Sequence, residues 1–320
     1  MNASLYMPEH QHIIHQRIIG QMQQLAPKEG YNLTSMKDVR LLRSNRKLTK
    51  TPVLYEPGIV IVCQGRKHGY FGDQCYIYDE SQYLAVSIPV PFSMETEASF
   101  NKPLLAIYIT LDFKLAAELI LLIEQQDPDR PTELTPESMI ASPMTPELQD
   151  CVTRFLHVLD KPLDVAALGQ SLLRELYFHF LTGSQGNVIR SAVSMRGQFG
   201  KVSQVLKYIH SEYSNVLNLA TLAAIAQMSV PTFCTHFKAI THMTPMQYVK
   251  SVRLHQARMM MLRQAIPAST ACHAVGYESP SQFNREFKRL FGLPPATEVK
   301  RLKENFSYPP TQNIDYVSSH

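Results

Sequence analysis

Hydrophobic positions fall into two regimes along the 320 residues. Up to about residue 110 they come as short β-branched or aromatic runs: 59–63 (IVIVC), 75–78 (CYIY), 83–88 (YLAVSI) and 104–110 (LLAIYIT). Turn signals break the runs at Pro57-Gly58, Gly65, Gly69, Gly72-Asp73, Pro89, Pro91 and Pro103. Short strands punctuated this often predict a small barrel or sandwich. Further on, apolar residues recur at spacings of three and four, the helical period. Asp112 stands where it can cap a helix over 113–126, and a Pro-rich loop over 127–146 separates this from an apolar-periodic pair over 146–159 and 164–181. The Gly/Ser-rich stretch 182–200 has no sustained period and predicts a linker. Residues 307–320, with Pro309-Pro310 and few apolar groups, predict a frayed tail. The expected class is α+β, with a first domain over 1–182, a linker over 183–200, an all-α domain over 201–303 and a flexible tail over 304–320.

Within the last third the pattern repeats at an offset of 50 residues. Residues 220–249 align without gaps on 270–299, matching at Ala224/Ala274, Ser229/Ser279, Phe233/Phe283, Phe237/Phe287, Lys238/Lys288, Pro245/Pro295 and Val249/Val299. Each copy reads as a short helix, a turn, a second helix starting near the Ser, and a stop before Pro. This is the helix-turn-helix pattern, and two in tandem imply one unit that grips successive major grooves of DNA. Residues 245–264 between the copies are strongly helical, a rod of about 30 Å at about 1.5 Å per residue. That is close to the roughly 34 Å between successive major-groove faces.

Charge sharpens the picture. The whole chain carries 31 basic and 27 acidic side chains, a formal +4. Residues 198–303 hold 13 basic side chains against Glu212, Glu278, Glu286 and Glu298, a net of +9, whereas the first 197 residues hold 18 basic and 21 acidic, a net of −3. Only the repeat-bearing part is therefore built to face a polyanion. Five scattered cysteines without CxxC spacing (Cys63, Cys75, Cys151, Cys234, Cys272) argue for reduced thiols and a cytoplasmic location. No apolar run reaches the roughly 18 residues of a membrane span, and the polar, His-rich start has no secretory h-region.

In the second copy, Phe283, Phe287, Leu290 and Phe291 share one helix face, expected to pack on Ala271, Ala274 and Val275. Ser281, Arg285 and Lys288 fall opposite, flanked by Gln282, Asn284 and Arg289. Arg suits guanine O6/N7, and Gln or Asn suits adenine N6/N7. Gly276 occupies a turn position suited to positive φ. The first copy buries Phe233, Phe237 and Ile240 and exposes Pro231, Thr235 and Lys238, with Cys234 on the flank. Its chemistry offers no bidentate base contact, so the second helix carries more of the discrimination and the first contributes apolar contact and phosphate anchoring. Lys250, Arg253, Arg258 and Arg263 on the rod are expected to help hold the DNA backbone, with Arg253 equally suited to an internal role.

The stretch 274–295, AVGYESPSQFNREFKRLFGLPP, resembles the signature of AraC/XylS-type transcriptional regulators, and the resemblance extends over about 198–303. It implies a seven-helix DNA-binding domain with base-reading positions at Pro231, Cys234 and Thr235 in the first unit and Ser281, Gln282 and Arg285 in the second. Residues 56–92, EPGIVIVCQGRKHGYFGDQCYIYDESQYLAVSIPVPF, are similar to the regulatory domain of one AraC subgroup. That similarity implies a cupin-like barrel followed by helices that commonly dimerise. The partners implied are double-stranded promoter DNA, a small-molecule effector, a second copy of the chain, and RNA polymerase if the protein is an activator.

The expected strands offer His68 alone, short of the His/Glu cluster a metal-dependent cupin needs, and no GxSxG elbow occurs. No catalytic residue, metal or cofactor is therefore expected. Gln64, Arg66, Tyr76, Tyr78 and Phe92, with Tyr70, Tyr83 and Tyr108, are the candidates to line an effector pocket, although alternate strand residues in any barrel must point inward as plain core. Cys63 qualifies as an electrophile or redox sensor only if accessible and acidified. Two rival readings stand beside a ligand-responsive regulator: a DNA-binding protein whose barrel only dimerises, and a cupin-like enzyme fused to a DNA-binding module.

Overall fold

The computed structural model describes residues 9–127, 136–194 and 197–305. A helix, α1 (Glu9–Leu25), leads into nine strands: β1 (Gly30–Leu33), β2 (Val39–Ser44), β3 (Leu48–Tyr55), β4 (Gly58–Gln64), β5 (Arg66–Phe71), β6 (Gln74–Asp79), β7 (Gln82–Val86), β8 (Val90–Glu97) and β9 (Leu104–Thr110). With β10 (Met139–Pro143) they form one antiparallel sheet in the order β1-β2-β9-β4-β7-β6-β5-β8-β3, β10 lying beside β7. The sheet curls into a half-barrel, and both its faces are covered. In β4, Ile59, Ile61 and Cys63 pack toward the helices, while Val60 and Val62 join Tyr55, Tyr78, Phe92 and Tyr108 inside the curl. Double-sided cover is why β4 reads as one unbroken apolar run rather than an alternation.

The outer helices are α2 (Phe113–Gln126), α3 (Pro146–Leu159), α4 (Pro162–Asp164), a π turn at Val165–Gly169, α5 (Gln170–Thr182) and α6 (Gly186–Val193). α2 begins where expected because the Asp112 carboxylate accepts from the Lys114 and Leu115 amides. The reader follows as α7 (Gly197–Glu212), α8 (Leu219–Ile225), α9 (Val230–Thr241), α10 (Pro245–Arg263), α11 (Ala268–Ala274), α12 (Pro280–Phe291) and α13 (Pro295–Asn305). The core inside the half-barrel runs on without a break into α7, α8, α9 and the first half of α10. The second half of α10 forms a separate core with α11 and α12.

Several expectations change. Residues 139–143, read as loop, pair with β7 as an added strand. Within the stretch read as linker, α6 buries Val188, Ile189, Ala192 and Val193, but eight residues among Gly and Ser are too few to show a period. α1 and β1 to β3 went unread, α1 because only Ile18 and Met22 of its residues are fully buried apolar ones, set amid Gln and His. β8 runs through Pro91, which pairs with β3 alone at that point and so forfeits no second ladder bond. The expected frayed tail lies outside the described residues, as does much of the Pro-rich loop.

Candidate nucleic-acid interface

Each reader starts from a side-chain cap. Ser229 Oγ accepts from the Thr232 amide and Ser279 Oγ from the Gln282 amide, and both helices continue through a Pro in their first turn. Aromatic side chains four apart then fix which face turns inward. Phe233 and Phe237 are buried in α9, and Phe283, Phe287 and Phe291 in α12, their rings 4.5–5.6 Å apart along the helix. The turn before α12 holds Gly276 at φ +83°, as its position demanded. Ala271 and Val275 pack on the aromatic face, but Ala274 is exposed, because the last turn of α11 points it outward.

The opposite faces lie open. Pro231, Thr235 and Lys238 are exposed on α9, and Ser281, Asn284, Arg285 and Lys288 on α12; Cys234 and Gln282 are half-buried on the flanks. Cys234 leans toward the α9 core. Thr235 donates its hydroxyl to Pro231 O at 3.1 Å, which occupies the one hydrogen it has to offer a base. Between the readers, α10 is 19 residues long, about 28 Å at the usual rise. Its start is locked by a capping box between Thr244 and Gln247.

The basic residues of α10 are mostly committed elsewhere. Arg253 donates to Tyr213 O, Gly276 O and Asn215 O at 2.7–3.0 Å, stitching α7 to the turn of the second unit. Arg258 is fully buried: it faces Glu298 at 3.5 Å, donates to Pro52 O at 3.0 Å and lies 4.0 Å over the Phe291 ring. Lys250 pairs with Glu286 at 2.8 Å. The expectation that Arg258 holds a DNA phosphate is therefore corrected, since a fully desolvated guanidinium must be satisfied internally, and of the two roles open to the half-buried Arg253 its three carbonyl contacts fill the internal one. Burial alone would raise the Glu286 carboxyl, but hydrogen bonds from Lys250, Tyr277 and Gln282 outweigh it and leave it below its ordinary value. Tyr277, buried and donating to Glu286, is pushed up in turn.

Besides the shared apolar core, several specific contacts dock the reader on the half-barrel. Ser138 Oγ donates to Ile240 O at 2.7 Å, His242 sits edge-on to Phe71 at 4.6 Å, Tyr248 Oη donates to Pro89 O at 2.7 Å, and Arg258 reaches Pro52. Beside the first two lies a cavity of about 570 Å³. Phe71 and Tyr76 of the sheet, Met139, Phe199 of α7 and Ile240 of α9 line it, with Ser138, His236 and His242 as polar groups.

The pocket candidates do not meet in one place. Tyr76 lines this cavity, whereas Tyr78 and Phe92 fill the barrel core with Tyr83 and Tyr108 also buried. Gln64 Nε2 donates to Pro103 O at 2.7 Å, and Arg66 pairs with Asp79 at 3.0 Å on the outside. Cys63 is neither accessible nor acidified: burial pushes its thiol up to about 12. Lys67 was missed. It is fully buried in the barrel, donating to Tyr55 Oη at 3.0 Å and touching Met94 Sδ at 3.3 Å. Its polar neighbours in sequence gave no sign of this. Among the described residues no three His, Cys, Asp or Glu side chains are grouped to hold a metal, and no helix is long and apolar enough to cross a membrane.

Comparison with known proteins agrees with this arrangement. RclR, an RCS-specific HTH-type transcriptional activator of Escherichia coli, is 33% identical over 84 residues, 26% of this chain and 30% of RclR. The chain thus spans about a third of that relative. VirF, a virulence regulon transcriptional activator of Yersinia enterocolitica, is 21% identical over 246 residues, 75% of this chain and 88% of VirF. In fold the chain is similar to wild-type ToxT of Vibrio cholerae, solved with an unsaturated fatty acid bound, at a TM-score of 0.56 and 12% identity over 84% of this chain and 98% of ToxT. Residues 35–188 match the AraC-type transcriptional regulator N-terminus and residues 222–301 a helix-turn-helix domain. With a half-barrel followed by two tandem readers, and with both family models matched in that order, the chain belongs to the AraC-type transcriptional regulators.

Proposed function

We propose that the chain is a sequence-specific, effector-responsive activator that grips promoter DNA with α9 and α12 in two successive major grooves. One observation carries this reading: the two readers leave the same helical face open at either end of one rod, and the rod itself buries 13 of its 19 residues. Pro231, Cys234 and Thr235 contribute mainly apolar contact and register, and Ser281, Gln282, Asn284 and Arg285 contribute base contacts. Lys238 and Lys288 anchor phosphates. Gel-shift titration of the full chain on duplex DNA at several salt concentrations tests it. Lys238→Ala and Lys288→Ala should each weaken all sequences alike and flatten the salt slope by about one. Wild-type slopes in both variants would remove these helices from the interface.

The effector site of this reading is the cavity between sheet and first reader. Its volume and mixed lining suit a small amphipathic molecule, and its walls belong to both domains, so a ligand there biases how α9 is held. RNA polymerase is the further partner of an activator, in the cytoplasm. Exposed Leu121 and Leu122 on α2 and Phe178 on α5 offer a face to a second copy. A metabolite screen for a raised melting temperature finds the effector, and Ala239→Trp, which fills the cavity, should abolish that shift. A shift that survives the substitution places the effector elsewhere.

A further inference from the structure

In the second reader a chain of hydrogen bonds leads from the interior to the flank of the DNA-facing surface. Gln282 is the third residue of α12, and the first turn of a recognition helix is the part that reaches base edges. Its amide nitrogen donates to Glu286 Oε1 at 3.2 Å. Lys250 Nζ donates to the same oxygen at 2.8 Å, and Tyr277 Oη donates to Oε2 at 2.7 Å. Lys250 comes from α10 and Tyr277 from the turn before α12, so the carboxylate is held by two elements outside the reading helix. Glu286 itself is largely buried.

This settles the orientation of the amide. A carboxylate only accepts, so Gln282 must turn its nitrogen toward Glu286. One N–H is thereby used, and the carbonyl oxygen and the second N–H are left. That remaining acceptor and donor match adenine, which offers the N6 amino group and N7 side by side in the major groove. Guanine presents two acceptors, one of which would face the amide oxygen. Cytosine presents one donor, and thymine one acceptor beside a methyl group. The first reader lacks the device: at the offset of 50, Thr232 stands for Gln282, His236 for Glu286 and Gln227 for Tyr277.

We propose that Glu286, clamped by Lys250 and Tyr277, is a positioning residue that presets Gln282 to read an adenine in the half-site of α12. The inference rests on α12 being a base-reading helix. The test is selection of the full-length chain on a pool of randomised duplexes, with sequencing of the bound fraction, for wild type, Gln282→Ala, Glu286→Gln and Arg285→Ala. Wild type should prefer adenine at one position by about 5- to 140-fold, the discrimination of one bidentate contact. Gln282→Ala should flatten that position and no other. Glu286→Gln should reduce preference at the same position by roughly threefold or more while binding random duplex at least as tightly, since an anion near phosphates is lost. A merely structural role for Glu286 would lower binding to all sequences together and leave the base profile intact, and that result overturns the proposal. So does a flattened position that favoured a base other than adenine. If Arg285→Ala also leaves every position unchanged, the failure lies with α12 as reader rather than with the preset amide.

Discussion

Mild acid should lower the stability of the folded chain through His210. This residue of α7 is buried, and its Nε2 lies 2.8 Å from Tyr248 Oη, which in turn donates to Pro89 O of the barrel at 2.7 Å. Because the phenol spends its hydrogen on Pro89, His210 must donate from Nε2 as a neutral imidazole. Burial pushes the His210 imidazole down to about 3 from 6.5. Between those values the unfolded chain takes up a proton that the folded chain refuses, so stability falls as pH drops below 6.5 and levels off near 3. At pH 5 the drop is about one and a half units, and at about 1.36 kcal/mol per unit it amounts to about 2 kcal/mol. Urea unfolding at pH 7 and pH 5 measures it, with His210→Gln as control, since an amide keeps a donor for Tyr248 but does not titrate. Carboxylates and the other buried imidazole, His255, contribute to both proteins and cancel in the difference. Wild type should lose about 2 kcal/mol more than the variant over this interval. Equal losses would mean that His210 protonates freely in the folded state, and the buried chain from α7 through Tyr248 to the barrel would be wrong.

Other outcomes follow from the same contacts. Arg253→Met strips three backbone carbonyls of a charged donor and should cost about 2 kcal/mol or more in thermal or urea unfolding, with no change in the salt slope of DNA binding. A slope reduced by about one at unchanged stability would return Arg253 to the DNA interface. Gly276→Ala forces a side chain into the left-handed region and against the Ser214 carbonyl, so stability should fall by about 1–2 kcal/mol or more; an unchanged melting temperature would refute the turn geometry. In the native protein iodoacetamide should label the exposed Cys75 well before Cys63, whose buried thiol stays protonated at neutral pH. Comparable labelling rates read by peptide mass would show that the barrel core is open.

The reader was legible in the sequence because its signals are local. Ser caps, Phe pairs four apart, a Gly in the turn and a Pro after each helix state the fold within a single turn or two, and the offset of 50 states it twice. What stayed hidden depends on neighbours distant in the chain. Lys67 sits in a polar run, and only the curl of β3, β5 and β8 encloses it with Tyr55 and Met94. β10 is a strand because β7 is there to pair with it. Arg258 looks like any helix arginine until α13 supplies Glu298 and β3 supplies Pro52. A pocket is harder still to read, since alternation predicts that a side chain points inward but not whether the interior is filled.

The two readers, similar in sequence, are held by different means, and this sets where control can enter. α9 shares one continuous core with the half-barrel, whereas α12 belongs to a core of its own. The repeat itself marks the difference: α9 ends at His242, in the left-handed region at φ 55°, and α12 ends at Gly292, at φ 82°. For glycine that backbone is free of strain, but for histidine it costs about 1–2 kcal/mol. The His242 ring packs edge-on against the Phe71 ring of the sheet, at the wall of the 570 Å³ cavity. A molecule entering that cavity meets the end of the first reader at His242. α10 contributes Tyr248 and Val252 to the first core and Leu254 and Ala257 to the second, so one unbroken helix joins the two cores. On the proposed reading, control entering beside α9 would set the placement of α12, the helix assigned the base contacts.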